Sequence, residues 1–362
     1  MDSRERVFLA LNFEEPDRVP VDFWYSDGFR KKFESASGRS MEQLLDTHDV
    51  DFRYIEGPRY IGPKSAAHPD GTDRDIWGVT RKTMVVNTNG GAETYKEVLH
   101  SPLADMKTPE EINAYGGWPS PDWFDYSVLA AQCEEVIRKG KVAVFMGDRL
   151  NRVSQLKPAM YLRGVEQILT DMCLAPEIAQ TIFANIRAFY DAYMERIFES
   201  AAGKLDILLT GDDFGSQNGP LISPAMWTAF LKEGFAHYTG MARSHRVRVM
   251  HHTCGSVRPL IPLMIACGLD ILQSIQPEAR DMDAAGLKKE FGGRLAFQGG
   301  ISVQKTLPFG TRQEIRDEVR DRVAALGKNG GYIFCTSHNI QADTPVKNAM
   351  TLLEAYRDFG RY

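Results

Sequence analysis

The residues best suited to chemistry lie in the run 247–257, VRVMHHTCGSV. Val247 and Val249 alternate as in a strand, with Met250 beside them, and the strand ends in His251-His252-Thr253-Cys254-Gly255. A spacing of two puts His252 and Cys254 on one side of an extended chain. A neutral imidazole and a thiolate on one side are two of the three or four ligands that zinc needs. Gly255 lets the backbone turn away without placing a side chain in the pocket. His251 then faces the other way and packs or bonds locally. A second apolar strand, 332–334, ends in Cys335-Thr336-Ser337-His338-Asn339. Two strands ending in metal-binding side chains can close one site, with Cys335 and His338 as the further candidate ligands. The plain alternative is a core histidine and a buried thiol.

Other polar groups belong with these. Asp212 and Asp213 are adjacent, and neighbours on an extended chain point to opposite faces. One of them enters the pocket, as a further ligand or as an acid that protonates a leaving group. The other caps a helix or pairs with an arginine, and the order stays open. Asp148 and Arg149 carry the same ambiguity, with an internal ion pair as the alternative. Gln276, Gln298 and Asn339 are expected as polar lining, and Trp24, Tyr25 and Phe214 as an apolar wall. Cys133, Cys173 and Cys267 sit in helical stretches without partner spacing and read as packing.

The elements that position these groups follow a strand–helix rhythm. Short strands are predicted at 142–146, 206–209, 247–250, 270–273, 294–298 and 332–334. Helices fill the gaps, among them 176–201, 223–244, 257–267, 282–291, 311–327 and 344–359. Before these come a helix over 3–12, a strand over 18–24, a helix over 41–46 and a short strand over 52–55. The alternation implies a parallel sheet wrapped by helices. Eight countable strands favour a (β/α)8 TIM barrel over a doubly wound sheet, and no G-x-G-x-x-G follows the first strand. In such a barrel the site lies at the C-terminal strand ends, where these polar residues collect. Residues 68–100 differ in character: Thr-, Val- and Trp-rich segments around Asn89-Gly90-Gly91 predict a β-hairpin insertion. The chain thus reads as a single barrel domain, 1–362, with an early hairpin excursion.

A chain of 362 residues with 43% hydrophobic content can bury a large core. A net charge of −5, with no clustered basic run, offers nothing to nucleic acid or to a membrane surface. Five scattered cysteines, an odd number, are not a disulfide framework. The charged N-terminus lacks an apolar signal core, and no apolar stretch approaches a membrane span. The expectation is a soluble, cytoplasmic protein of enzyme size.

Several motifs together resemble the uroporphyrinogen decarboxylase-like superfamily over nearly the whole chain. They are H-x-C-G at 252–255, LDILQSIQPEARDMDAAGLKKEFGGRLAFQGGI at 269–301, GGYIFCTSHNIQADTP at 330–345, GDDFGSQNGPLISP at 211–224 and the opening RVPVDFW. The resemblance implies a (β/α)8 barrel and one of two activities. Decarboxylases carry an arginine-rich motif like RQAGRY soon after the first strand, where this chain has FWYSDGFRKKF. That departure points to the zinc-dependent methyltransferase and O-demethylase branch. The branch implies zinc on His252, Cys254 and a late residue; the late position aligns best with His338, with Cys335 three residues earlier. It implies a small methylated substrate, in particular a methoxylated one, with Asp212 or Asp213 as the acid. Trp24, Tyr25, Asp148, Gln276, Gln298 and Asn339 would line the pocket. It also implies a corrinoid (cobalamin) on a separate partner protein, since the barrel leaves no room for a corrinoid domain, and a possible homodimer. Two other readings stand beside it: a metal-independent decarboxylase-like enzyme, and a non-catalytic zinc- or ligand-binding barrel.

Overall fold

The computed structural model describes residues 1–64, 71–88, 90–147 and 152–362. Seven strands form one sheet in chain order: β1 Phe52–Ile55, β2 Val142–Phe145, β3 Ile207–Gly211, β4 Arg248–His252, β5 Ile271–Ile275, β6 Ala296–Ile301 and β7 Tyr332–Thr336. Every neighbouring pair is parallel. Apolar residues dominate both faces of these strands, because helices cover the outside and side chains fill the inside.

Residues 19–24 occupy the eighth position. Phe334 N donates to Pro20 O (2.7 Å), Asp22 N to Phe334 O (2.9 Å) and Asp51 N to Val21 O (2.9 Å), so the segment bridges β7 and β1 and closes the sheet. The fold is a (β/α)8 TIM barrel. The strand expected over 18–24 is reduced to isolated bridges, Val21 to Phe334 and Tyr25 to Ile340. Pro20 has no N–H for the ladder, and Val21 spends its N–H on the Asp51 side chain (2.8 Å).

The barrel interior has an apolar floor. Phe52, Val142, Val144, Ile207, Leu209, Met250, Ile271, Ala296 and Ile333 pack together there. Val7 and Leu11 of the helix Ser3–Leu11 join them and plug the N-terminal end. With a side-chain period of two, the next inward positions are His252 after Met250, Gln273 after Ile271, Gln298 after Ala296 and Cys335 after Ile333. A polar layer therefore sits directly above the apolar one.

Most of the later strands run two or three residues past the expected ends, to Gly211, His252, Ile275, Ile301 and Thr336. The apolar run stops where the pocket begins, but the backbone ladder continues through Gly211 opposite His252 and Gly300 opposite Cys335. The helix expected over 223–244 breaks at Leu231 into Pro224–Phe230 and Lys232–Ser244. The hairpin insertion is present, with Thr80–Thr88 antiparallel to Gly91–His100 and a third strand, Thr72–Arg74, at its side. Asn89, expected in its turn, and residues 65–70 lie outside the described residues. Glu93 pins the hairpin over the barrel: its Oε1 accepts from Ser26 Oγ (2.5 Å) and Ala342 N (2.7 Å). Among the described residues no helix is long and apolar enough to cross a membrane.

Candidate metal centre

Three side chains meet at the C-terminal mouth of the barrel. One ligand atom each from His252, Cys254 and His338 lies within 4.8 Å of the others. β4 delivers His252 facing inward, while His251 faces out, its Nδ1 2.8 Å from Thr210 Oγ1 and its ring stacked on Phe214. Beyond the strand, Thr253 N donates to Gln273 O (2.6 Å), which holds the chain extended for one more residue. That brings Cys254 Sγ to 3.4 Å from His252 Nε2. Gly255 then turns at φ +78, and a Cβ there would sit 2.5 Å from Ser216 O, so only glycine fits this exit. His338 follows β7, with its Nδ1 against Asn339 Oδ1. The indole of Trp24 packs on both imidazoles, at 5.3 Å from His252 and 5.1 Å from His338.

The protonation states leave these atoms able to coordinate. Burial, then the nearby cation Arg152, hold His252 well below its ordinary value against the pull of Asp213, and burial lowers His338. Both rings are neutral and keep a lone pair for coordination. Burial, and then Asp213, push the Cys254 thiol up to about 12. A negative neighbour that opposes a bare thiolate stabilises a thiolate bound to a dication. Burial also pushes Asp213 upward, but Lys157 and the Cys254 N–H outweigh it and hold the carboxylate ionised. Its Oδ2 meets Lys157 Nζ at 2.5 Å and its Oδ1 lies 3.7 Å from His252 Nε2. Two nitrogens, one sulfur and an adjacent carboxylate fit zinc.

The two aspartates part as their alternation requires. Asp213 faces the centre. Asp212 is fully buried, with Oδ2 accepting from Gln155 N (2.7 Å) and Oδ1 from Lys157 N (2.6 Å). It caps the helix Leu156–Arg163, which has no side-chain cap of its own. This takes Asp212 out of the role of pocket acid.

The remaining expected residues scatter. Cys335 stays outside the cluster: it follows Ile333 into the barrel interior, and its Sγ is 3.9 Å from Thr336 Oγ1. It stands three positions before His338, enough to leave it deeper in the barrel. Trp24 lines the centre, whereas Tyr25 points the other way, its ring on Phe23 (6.2 Å) and Glu42 and Arg30 among its charged neighbours. Gln276 serves the turn, accepting from Gly255 N (3.2 Å). Gln298 bonds Asp22 inside the barrel (2.6 Å), Asn339 supports His338, and Phe214 is wholly buried behind β4. Asp148 and Arg149 lie outside the described residues.

Three contributors escaped sequence reasoning: Lys157, Asp22 and Tyr54. Gln273 Oε1 lies 3.1 Å from His252 Nδ1. Lys157 fixes Asp213. Asp22, an acid within the apolar run RVPVDFW, carried a usable signal. Beside the centre lies a narrow recess of about 20 Å³, room for about one water, lined by Trp77, Arg81, Arg152, Lys157, Tyr161 and Tyr190. Gly211 is the shared wall, since a Cβ there would meet Arg152 Cδ at 2.7 Å and His252 Cβ at 3.2 Å.

This barrel, with its histidines and cysteine at the strand ends, has known counterparts. Residues 154–359, more than half of the chain, match the family model described as uroporphyrinogen decarboxylase (URO-D). The chain belongs to that family. The uroporphyrinogen decarboxylase of Psychromonas ingrahamii is 30% identical over 79 residues, 22% of this chain and 22% of that protein. The Coxiella burnetii enzyme of the same name is 23% identical over 194 residues, 51% of this chain and 48% of that one. The matched stretches thus span between about a fifth and half of these curated relatives. A methyltransferase from Methanosarcina mazei superposes with a TM-score of 0.68 over 99% of both chains at 16% identity, a likeness of fold.

Proposed function

We propose that the chain is a zinc-dependent methyltransferase that moves a methyl group from a small methylated, in particular methoxylated, substrate to a corrinoid on a separate partner protein. The observation that carries this reading is the meeting of His252, Cys254 and His338 within 4.8 Å at the barrel mouth. Those three side chains would hold the metal, with Asp213 beside them. Zinc supplies Lewis acidity, making the substrate heteroatom a better leaving group. The transfer would break the carbon–heteroatom bond and leave the bonding pair on the heteroatom; a reduced corrinoid on the partner, as methyl acceptor, would supply the pair for the new bond. The heteroatom then needs a proton. Asp213 is held ionised, so the Lys157 ammonium hydrogen-bonded to it is the proton donor in this reading. Trp24 walls the centre on one side. The full-length likeness of fold to a methyltransferase supports the class.

Cys254→Ser tests it. The wild-type protein purified without chelators should carry about one zinc per chain, and the variant should lose both zinc and demethylation with a reduced corrinoid protein as acceptor. Full activity in the variant would sink the proposal. A second reading, a metal-independent decarboxylase, draws on the names of the relatives and on Arg81, Arg152 and Lys157 around the recess. Absence of zinc from the wild type even after zinc is offered, together with turnover of a small acid, would favour it.

A further inference from the structure

Two glutamines stand side by side in the polar layer beneath the metal centre. Gln273 and Gln298 are register partners on β5 and β6, and both are fully buried. Each has one end committed. Asp22 Oδ2 accepts from Tyr54 OH (2.5 Å) and from Gln298 (2.6 Å), and Asp22 Oδ1 accepts from Phe23 N (2.8 Å). A carboxylate in that position needs a donor, so the end of Gln298 that meets it is Nε2. At the other side, His252 offers Nε2 toward Cys254. If Nε2 is the ligand atom it keeps its lone pair, so Nδ1 carries the hydrogen and the end of Gln273 that meets it is Oε1.

The two free ends are then fixed, and they are complementary. Gln273 Nε2 is a donor and Gln298 Oε1 an acceptor, and neither has a partner among the described residues. A buried amide end without a partner costs free energy, and here two such ends belong to adjacent strands. We infer that Gln273 and Gln298 form a relay of amides, closed through one water, that ties the Asp22 carboxylate to the Nδ1–H of His252. Every donor in the chain points the same way: His252 to Gln273, Gln273 to Gln298, Gln298 to Asp22. The relay fixes the His252 tautomer and makes Nε2 a better ligand atom, as partners outside the first ring of metal ligands do. Gln273, Gln298 and Asp22 are positioning residues.

The inference rests on His252 as a metal ligand, and its test has one arm that needs no metal. In the metal-free protein, long-range proton–nitrogen NMR of His252 should show the Nδ1–H tautomer. Gln298→Met, which removes the middle of the relay without touching His252, should give a mixture of tautomers, and Gln273→Met should do the same. In zinc titrations against a chromophoric chelator, each variant should bind about 10-fold more weakly or worse. The double variant should be little weaker than Gln273→Met alone, because the first break already cuts the chain. Thermal unfolding of the metal-free proteins controls for misfolding, and Gln298→Asn should restore part of the loss if a water spans the shorter side chain. An unchanged tautomer in Gln298→Met, or zinc affinity equal to wild type, overturns the relay. A wild-type protein that shows the tautomer shift in its variants yet binds no zinc keeps the relay and removes the metal reading.

Discussion

Asp22 carries a charge whose cost the barrel interior sets. Burial raises its carboxyl to about 6, against smaller opposing pulls from Tyr54, the Phe23 N–H and Gln298. In the unfolded chain the group returns to the ordinary 3.8. Between those values the folded protein holds more protons than the unfolded one. Asp22 therefore contributes stability that is fully present below pH 3.8 and lost as the pH rises to about 6, at most roughly 3 kcal/mol. Asp22→Asn stays neutral throughout. Relative to wild type the variant should gain stability between about pH 4 and about pH 7, read as urea midpoints at both ends. Equal pH dependence in the two proteins would refute this account of Asp22. His252 and Cys254 were legible because a spacing of two on a strand end is a local signal. His338 was legible through resemblance, and the structure places it, rather than Cys335, beside His252 and Cys254. The partners of Asp22 were not legible: Gln298 lies 276 residues away in the chain, and nothing local marks the pair.

Among the elements, the helix Leu156–Arg163 depends on a cap that its own sequence does not contain. Its first turn offers the N–H groups of Gln155 and Lys157 to Asp212, which projects from the end of β3. Asp212→Ala leaves one buried and one part-buried donor unpaired, at about 1–3 kcal/mol each, so a total loss of roughly 2–6 kcal/mol is expected in urea unfolding at an unchanged slope. Asp212→Asn keeps one acceptor oxygen and should lose less. A cost in Asp212→Ala below about 1 kcal/mol would show that water or another group caps the helix. The strand–helix alternation was readable from the sequence, because apolar runs and helical periodicity repeat along it. The strand ends were not, because pocket residues break the apolar run while the hydrogen-bond ladder continues. Pro20 had the opposite effect, cutting a ladder through a run that looked apolar enough to be a strand.

Across the whole molecule, the floor of the barrel is sealed by the helix Ser3–Leu11, and its mouth is spanned by an insertion held at few points. The hairpin strands are mostly exposed, with Val85, Tyr95 and Leu99 open to solvent, so burial contributes little to their placement. Glu93 contributes more. One carboxylate oxygen takes the Ser26 hydroxyl and the Ala342 N–H, joining the loops that follow the first and last barrel positions. Ser26 also caps the helix Asp27–Ser37, and Lys32 of that helix donates to Ala342 O (2.8 Å) and Thr344 O (2.9 Å). Trp24 and His338 lie just before these two loops. Hydrogen bonds to a charged acceptor contribute about 1.5–3 kcal/mol when buried and less at a part-exposed site such as this. Glu93→Ala should therefore speed amide exchange in residues 80–100 by roughly tenfold, equivalent to about 1.4 kcal/mol of local opening. The strands of the barrel should keep their protection, since their ladder does not pass through the hairpin. Glu93→Gln retains an acceptor oxygen and should fall between. Unchanged exchange in Glu93→Ala would mean that the hairpin is held by its base, where Arg81 pairs with Asp75 at 2.6 Å and its guanidinium lies 4.4 Å over Tyr161. In that case Arg81→Met, not Glu93→Ala, would release it.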